Sequence, residues 1–258
     1  MKARFLYAVL AVALALSVSA CGSKEKAEET PAAPAATASA PVDPAPAGSI
    51  TGTVKLDGPA PKAQRIRMDA EPTCAKTHTT PVMSEEYVVG DKGGLGNVVV
   101  YVKDGLGNRT FDTPNEPVVL DQNGCIYVPH VIAVQVNLAV EILNSDPTTH
   151  NVHPVPSNNK EWNKSQPPKA EKIVETFARE EIAILVKCNV HPWMKSYIAV
   201  LKHPYFKVTG KDGAFEIKNL PPGDYTMVAW HGVLGPSADQ KVTIGAKESK
   251  AIEFTFKP

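Results

Sequence analysis

The chain has 258 residues, which is long enough for two domains of ordinary size. Its 27 Lys and Arg side chains balance its 27 Asp and Glu side chains, and no block of basic residues occurs. We therefore predict no nucleic-acid partner, and we expect any docking to a protein to use local surface patches rather than a global electric field.

The N-terminus has the pattern of a secretory signal peptide, which we place at residues 1–20. Lys2 and Arg4 precede an apolar run, and small residues stand just before Cys21. The apolar run is short for a membrane-spanning helix. The sequence Val-Ser-Ala-Cys resembles a bacterial lipobox, and this resemblance implies cleavage before Cys21 and attachment of lipid to that residue. We therefore predict a lipid-anchored protein of the bacterial cell envelope, facing the periplasm or the cell exterior.

A tether is predicted at residues 21–48. This segment is charged at first and then rich in Ala and Pro, with no apolar periodicity. Such a composition cannot bury enough apolar surface to fold, so we predict disorder. The tether would hang the rest of the chain from a membrane and leave it free to reach partners.

From residue 49 onward the sequence predicts β-strands. Ile50, Val54 and Leu56 share one face of an alternating run, and residues 97–102 form a β-branched run. Similar signals occur at residues 118–121, 126–128, 131–136, 140–143, 196–201, 213–217, 225–230, 241–244 and 251–256. Pro222-Gly223 predicts a type II turn, in which the glycine takes a positive φ. We therefore predict an all-β fold.

Four potential metal ligands stand on two predicted loops. Cys188, His191 and Met194 follow one another at Cys-x2-His-x2-Met spacing, and His150 lies upstream. Two His, one Cys and a weak axial Met form the ligand set of a mononuclear blue-copper electron-transfer site. The alternative is a buried structural cysteine with the other residues nearby by chance. We predict that the four residues bind one type 1 copper.

These residues resemble the motifs of the cupredoxins, and of amicyanin-like proteins in particular. That family has His-Asn-Val in its upstream loop, here residues 150–152, and Cys-x-x-His-Pro-Phe-Met in its ligand loop, here residues 188–194. The two motifs are 38 residues apart, which is similar to the family's separation. The resemblance spans roughly residues 125–202. It implies a cupredoxin Greek-key β-sandwich, which we place at residues 111–204.

The neighbours of the ligands have expected roles as well. Asn151 would tie the upstream loop to the ligand loop, as neighbours of metal ligands commonly do, and the alternative is a turn-forming Asn with no link to the site. The resemblance implies that His191 exposes a ring edge through which electrons pass. Pro192 and Trp193 would flank that edge as an apolar docking patch. Val190 stands where amicyanin-like loops usually have proline, so its backbone N–H could donate to the cysteine sulfur.

Residues 169–185 present a conflict between propensity and resemblance. They are rich in Ala, Glu and Lys and contain no Gly or Pro, which favours a helix. The cupredoxin resemblance instead implies strands at residues 172–177 and 182–187, around a turn at residues 178–181. We follow the resemblance and predict two strands.

The remaining cysteines favour a disulfide. Cys21 is assigned to lipid and Cys188 to copper, which leaves Cys74 and Cys125 in an oxidising compartment. Disulfides persist in exported proteins, and an even remainder favours pairing of these two residues. The alternative is a second metal site, built from Cys74, His78, Cys125 and His130.

The tail carries a second resemblance. Residues 208–215 and 220–226 resemble the carboxypeptidase-regulatory or transthyretin-like sandwich, whose members usually open with a Gly-x-Val strand, here residues 52–54. We predict one such sandwich built from residues 49–110 and 205–258, with the cupredoxin inserted between them. Two sandwiches in series remain the alternative.

We predict a monomeric carrier of single electrons. Its partners would be redox proteins, such as a cytochrome or a copper- or quinone-dependent enzyme. A copper-delivery protein and an adhesion or glycan-binding module are the alternative functions. Catalysis is not expected, because the four ligands fill the copper shell and no nucleophile–base pair is evident in the sequence.

Overall fold

The computed structural model describes residues 46–258. The predicted signal peptide, most of the predicted tether and the predicted lipidation site Cys21 lie outside these residues. The described part is almost entirely β-structure, as predicted, with one short helix, α1 (Pro72–Lys76), and one 3-10 turn (Asp91–Gly93). None of its helices is long and apolar enough to cross a membrane.

Seventeen strands occur in the described residues. They are β1 (Gly48–Leu56), β2 (Val98–Asp104), β3 (Val118–Gln122), β4 (Tyr127–Val128), β5 (Val131–Gln135), β6 (Val140–Asn144), β7 (His150–Val155), β8 (Lys164–Gln166), β9 (Ile173–Glu175), β10 (Glu181–Lys187), β11 (Lys195–Leu201), β12 (Phe206–Val208), β13 (Ala214–Leu220), β14 (Gly223–His231), β15 (Gly235–Pro236), β16 (Gln240–Ile244) and β17 (Ser249–Phe256). Their apolar residues alternate with polar ones wherever one face meets water, as in β13.

The first pair of sheets joins strands from distant parts of the chain. One sheet has the order β13-β1-β17, and the other has the order β12-β2-β14-β15, with β16 also paired to β14. Ile50, Val100, Leu220, Met227 and Phe254 are buried in the core that these strands share. The predicted domain boundaries at residues 110 and 204 stay predictions.

The second pair of sheets carries the predicted metal ligands. One sheet has the order β5-β11-β10-β7-β8 and the other the order β4-β3-β6-β9. Leu120, Ile142 and Ile198 are buried in its core, and Cys188 and Met194 belong to the same apolar cluster. The ligand loop is therefore anchored in a packed core rather than on a free surface.

Strand β11 is buried on both of its faces. Ile198 packs into the core of the second pair of sheets, whereas Leu201 packs in a smaller cluster with Val99, Val131 and Trp230. Val99 and Trp230 lie on β2 and β14 of the first pair. This double burial explains why the sequence of β11 is a nearly continuous apolar run rather than an alternating one.

The segment that propensity assigned to a helix forms strands β9 and β10. The chain bulges at the start of β10, where Ala183 takes a φ of 73°. Helix propensity is a weak preference, and here the apolar face of Ile184 and Val186, which packs into the core, outweighs it.

The predicted type II turn at Pro222-Gly223 is wrong. Gly223 is the first residue of β14, where it pairs with Ile244, and it is not among the described residues with a positive φ. Asn219, with a φ of 57°, takes the left-handed conformation instead. Strand pairing with β16 therefore overrides the local preference of the Pro-Gly pair.

Candidate metal centre

Two loops at one end of the second pair of sheets bring the four predicted ligands together. His150 is the first residue of β7, and Cys188 directly follows β10, its hydrogen-bonded neighbour. The ligand loop closes on itself, because Cys188 N–H donates to Met194 O at 3.2 Å and Met194 N–H donates to His191 O at 2.9 Å. All four side chains are buried, with 0–2% of their surface exposed.

The ligand atoms have the separations that one metal ion requires. His150 Nδ1 and His191 Nδ1 are 2.8 Å apart, and Cys188 Sγ is 3.9 Å from His191 Nδ1. Bonds of about 2.0 Å to nitrogen and about 2.3 Å to sulfur let one ion reach ligand atoms up to about 4 Å apart. The two imidazoles and the thiol therefore fit a single small ion, and Met194 is buried in the same cluster as the thiol.

Asn151 ties the upstream loop to the ligand loop. Its Oδ1 accepts hydrogen bonds from Asn189 N–H at 2.6 Å and from Val190 N–H at 3.3 Å. The Asn151 backbone N–H lies 3.5 Å from Cys188 Sγ, and its Nδ2 donates to Asn163 Oδ1 at 2.5 Å. One side chain thus holds both loops in register around the sulfur.

The hydrogen bond predicted between Val190 N–H and the sulfur is shared with a second acceptor. This N–H lies 3.3 Å from Asn151 Oδ1, and its interaction with the sulfur also lowers the pKa of the Cys188 thiol, after the larger effects of His150, Asn151 and His191. The sulfur also faces His191 N–H at 3.4 Å and the N–H of Asn151. Val190 therefore acts on the thiol both directly and through Asn151.

Asp146 is a further residue of the candidate site that the sequence analysis did not identify. Its Oδ2 is 2.8 Å from His150 Nε2, and its carboxylate accepts hydrogen bonds from Gly124 N–H at 2.6 Å and Cys125 N–H at 2.8 Å. A carboxylate on the outer nitrogen orients a ligand imidazole and raises its basicity. The spacing of four residues was visible in the sequence, but only the bends between Asp146 and His150 bring the two side chains together.

Hydrogen bonds outweigh burial in setting the pKa values of His150 and Cys188. Burial lowers the pKa of His150, but the bonds to Asp146 and Cys188 raise the pKa to about 9. Burial raises the pKa of the Cys188 thiol, yet the His150 side chain and backbone N–H groups of both loops lower that pKa overall. The thiolate, which is the form that binds metal, is thus favoured.

His191 does not expose the ring edge that the family resemblance implied. Only 2% of its surface is exposed, and its Nε2 lies 3.7 Å from Cys74 Sγ. Pro192 is exposed, and Trp193 is half-buried with its ring centroid 5.1 Å from that of His191. The expectation of an open His191 edge is wrong because another part of the chain covers it, while the docking role of Pro192 and Trp193 stays a prediction.

Cys74 and Cys125 form a disulfide, with an S–S distance of 1.99 Å and a Cα–Cα distance of 5.6 Å. The alternative metal site built from this pair does not assemble in the described residues. His78 Nε2 forms a hydrogen bond of 2.6 Å with Gly124 O, and the rings of His130 and Tyr197 meet in a T-shaped arrangement. Cys125, Asp146 and His150 also lie close together, but the Cys125 sulfur is taken up by the disulfide.

Two other histidines, His153 beside the ligand loop and His231 at the end of β14, lie outside the centre. His153 Nε2 bonds to Glu161 at 2.7 Å, and its Nδ1 is 3.1 Å from Asn189 Oδ1. His231 Nδ1 accepts from Val233 N–H and Leu234 N–H at 3.3 Å. Neither belongs to a group of potential metal ligands in the described residues.

Comparison with known proteins found similarity to parts of this chain. A family model described as polysaccharide lyase family 4, domain II, matches residues 178–252, which is less than half of the chain. No curated protein matches the chain at a significant level.

Several solved copper proteins are similar in structure. A Cu-containing nitrite reductase from Thermus scotoductus is 21% identical at a TM-score of 0.32, over 38% of this chain and 25% of that one. A purple cupredoxin from Nitrosopumilus maritimus is 19% identical at a TM-score of 0.28, over 32% of this chain and 98% of that one. A mutant of amicyanin in its Cu(I) form is 21% identical at a TM-score of 0.30, over 39% of this chain and 97% of that one. This chain thus spans about a quarter of the reductase. At these scores we take nothing about function from the likeness.

Proposed function

We propose that this chain is a mononuclear blue-copper protein that carries single electrons, with its copper held by His150, Cys188, His191 and Met194. The observation that supports this most is the convergence of two imidazole Nδ1 atoms on one buried thiol. Soft thiolate and thioether ligands select copper, whose bound ion alternates between Cu(II) and Cu(I). We propose no enzymatic activity, since these ligands leave no open position for a substrate.

The surrounding residues would keep the ligands in place in both oxidation states. Asn151 holds the two loops together, Asp146 fixes the His150 ring, and the disulfide holds Cys74 against His191. Because each ligand is held by the protein, little movement would accompany a change of charge at the centre. Fast single-electron exchange depends on such a small reorganisation.

The cellular setting is part of the proposal. Lipid on Cys21 would anchor the monomer in a bacterial cell envelope, and the tether would let it meet a redox protein, such as a cytochrome or a copper- or quinone-dependent enzyme. Delivery of copper fits less well, since delivery needs exchangeable ligands and these four are buried. Adhesion or glycan binding has only the partial family match in its favour.

The absorption spectrum of the copper-loaded, oxidised chain tests the proposed function. We expect an intense thiolate-to-copper band in the red. Cys188→Ser should retain copper on the histidines but lose this band. His153→Ala is the matched control, because His153 lies near the loop without being a ligand, and it should keep the band. An unchanged spectrum in Cys188→Ser would rule out the assignment.

A further inference from the structure

A segment that precedes both ligand loops lies over the candidate metal centre. We name residues 64–84 the cap. Its two ends pair with each other, because Ile66 N–H donates to Val82 O at 2.9 Å and Ser84 N–H donates to Gln64 O at 2.8 Å. Helix α1 lies between these ends and carries Cys74. The cap is therefore a closed loop with its own internal hydrogen bonds.

The cap is fastened directly beside the ligands. The Cys74–Cys125 disulfide links it to the loop that also supplies two N–H groups to Asp146. Met68 packs into the same apolar cluster as Cys188, and His78 bonds to Gly124 O. Ile66 and Val82 also pack against this cluster, so one covalent bond together with apolar and polar contacts holds the cap against the centre.

The closed cap blocks the outer nitrogen of His191. Cys74 Sγ lies 3.7 Å from His191 Nε2, and both sulfurs of the disulfide belong to residues with no exposed surface. On the other side, Asp146 covers the outer nitrogen of His150. All four ligands are at most 2% exposed, so a hydrated ion cannot reach them without a movement of the chain, and the cap is the segment that covers His191.

We propose that the Cys74–Cys125 disulfide locks the metal into the centre, so that metal insertion precedes oxidation of these two thiols during maturation. In the oxidation step the two thiols lose two electrons and two protons and form one S–S bond. The disulfide of an exported thiol oxidoreductase accepts them and becomes a dithiol. This inference rests on the metal-binding part of the proposed function and is independent of electron transfer.

The order in which metal and oxidant are added tests this proposal in the unaltered chain. The reduced, metal-free chain is refolded with Co²⁺ and then oxidised with oxidised glutathione, or it is oxidised first and then given Co²⁺. The thiolate-to-cobalt absorption band and the bound metal per chain are measured, and peptide mass spectrometry checks the pairing of Cys74 with Cys125. We expect full loading in the first order and slow loading in the second.

Two variants distinguish retention of the metal by the Cys74–Cys125 disulfide from a general loss of stability. Cys74→Ser combined with Cys125→Ser frees the cap without leaving extra thiols, so Co²⁺ uptake by the metal-free form should become roughly 30- to 1,000-fold faster, in proportion to the usual contribution of a disulfide. Leu220→Ala is the matched control, since it weakens the other pair of sheets and leaves the cap closed. Its uptake rate should equal that of the oxidised unaltered chain.

The outcomes distinguish this inference from the proposed function. Equal uptake rates for the oxidised chain and the double serine variant would overturn the lock and leave the metal site intact. If that variant does not fold, equal loading in both orders of addition overturns the lock in the same way. Failure to bind Co²⁺ in either order would overturn the metal site together with the lock.

Discussion

At the scale of single residues, Asp146 is a group outside the proposed ligand set that contacts the candidate centre. Asp146 is 5% exposed and its carboxylate touches the outer nitrogen of His150, so the nitrogen on the opposite side is the one left free for a metal. The same carboxylate accepts Cys125 N–H, which places it between the disulfide and the ligand. Asp146 therefore couples the cap's attachment point to the metal site.

Replacement of Asp146 tests this coupling. Asp146→Asn removes the negative charge, so His150 should donate less strongly to the metal, and we expect about a 10- to 100-fold loss of copper affinity. A competition titration with a chelator measures the change. Asp121→Asn is the matched control, because Asp121 accepts from Ser145 Oγ without touching a ligand. An affinity equal to that of the unaltered chain would contradict the role of Asp146.

Substitutions of Asn151 and Val190 test the hydrogen bonds that hold the ligand loop. Asn151→Ala leaves two N–H groups of the ligand loop without their acceptor, and we expect the free energy of unfolding to fall by about 1–3 kcal/mol. Val190→Pro removes only the longer of the two bonds, so its loss should be smaller. Urea denaturation of the metal-free variants measures both. A larger loss in Val190→Pro would contradict this hierarchy.

At the scale of elements, the start of β10 is held by a buried carboxylate. Glu181 is 8% exposed and accepts hydrogen bonds from the N–H groups of Ser157, Asn158 and Asn159. Burial alone raises the pKa of Glu181, but these bonds outweigh it and lower the pKa below its ordinary value. The loop after β7 is thereby fastened to the strand that leads to the ligand cysteine.

Glu181→Gln should weaken this attachment, because a carboxamide replaces one acceptor with a donor that faces other donors. We expect a loss of about 1–3 kcal/mol in the free energy of unfolding at pH 7. Since the folded pKa of Glu181 is depressed, its stabilisation is present above the ordinary pKa of about 4.3 and is lost as the pH falls below it. Urea denaturation at several pH values should show the difference shrinking with acid, and Glu180→Gln, an exposed neighbour, should change little.

At the scale of the whole molecule, both pairs of sheets meet at a small apolar cluster with a buried histidine nearby. His231, at the end of β14, is 1% exposed and stacks near Tyr87 with ring centroids 5.6 Å apart. Burial first, and then repulsion from His130, lowers the pKa of His231 to about 4. Between about pH 4 and pH 6.5 this imidazole is therefore neutral in the folded chain and protonated in the unfolded chain.

Stability should consequently fall as the pH drops from about 6.5 towards 4, since the unfolded state binds the extra proton. The contribution of His231 to this loss is on the order of 3 kcal/mol. His231→Asn keeps an acceptor for Val233 N–H and Leu234 N–H but does not titrate, so its stability should decline less between pH 7 and pH 4.5. The free energy of unfolding of both proteins is measured by urea denaturation. Equal declines in the unaltered chain and in His231→Asn would contradict the assignment of this pH dependence to His231.

The sequence alone determined those features that depend on short-range pattern. Strand periodicity predicted the all-β fold, and the spacing of Cys188, His191 and Met194 identified the ligand loop, because neighbours on one tight loop stay neighbours after folding. The counting of cysteines predicted the Cys74–Cys125 pairing, since assigning Cys21 to lipid and Cys188 to metal leaves only these two.

Only the tertiary structure decided what surrounds those ligands. The contact of Cys74 with His191 joins residues 117 positions apart, and it buries the ring edge that local motifs would leave open. Asp146 reaches His150 only through the bends between them, and the Asn151 side chain accepts the N–H of Val190 from the other loop. Such contacts arise from the packing of distant segments, and a periodicity or a spacing carries no information about which segment will cover which.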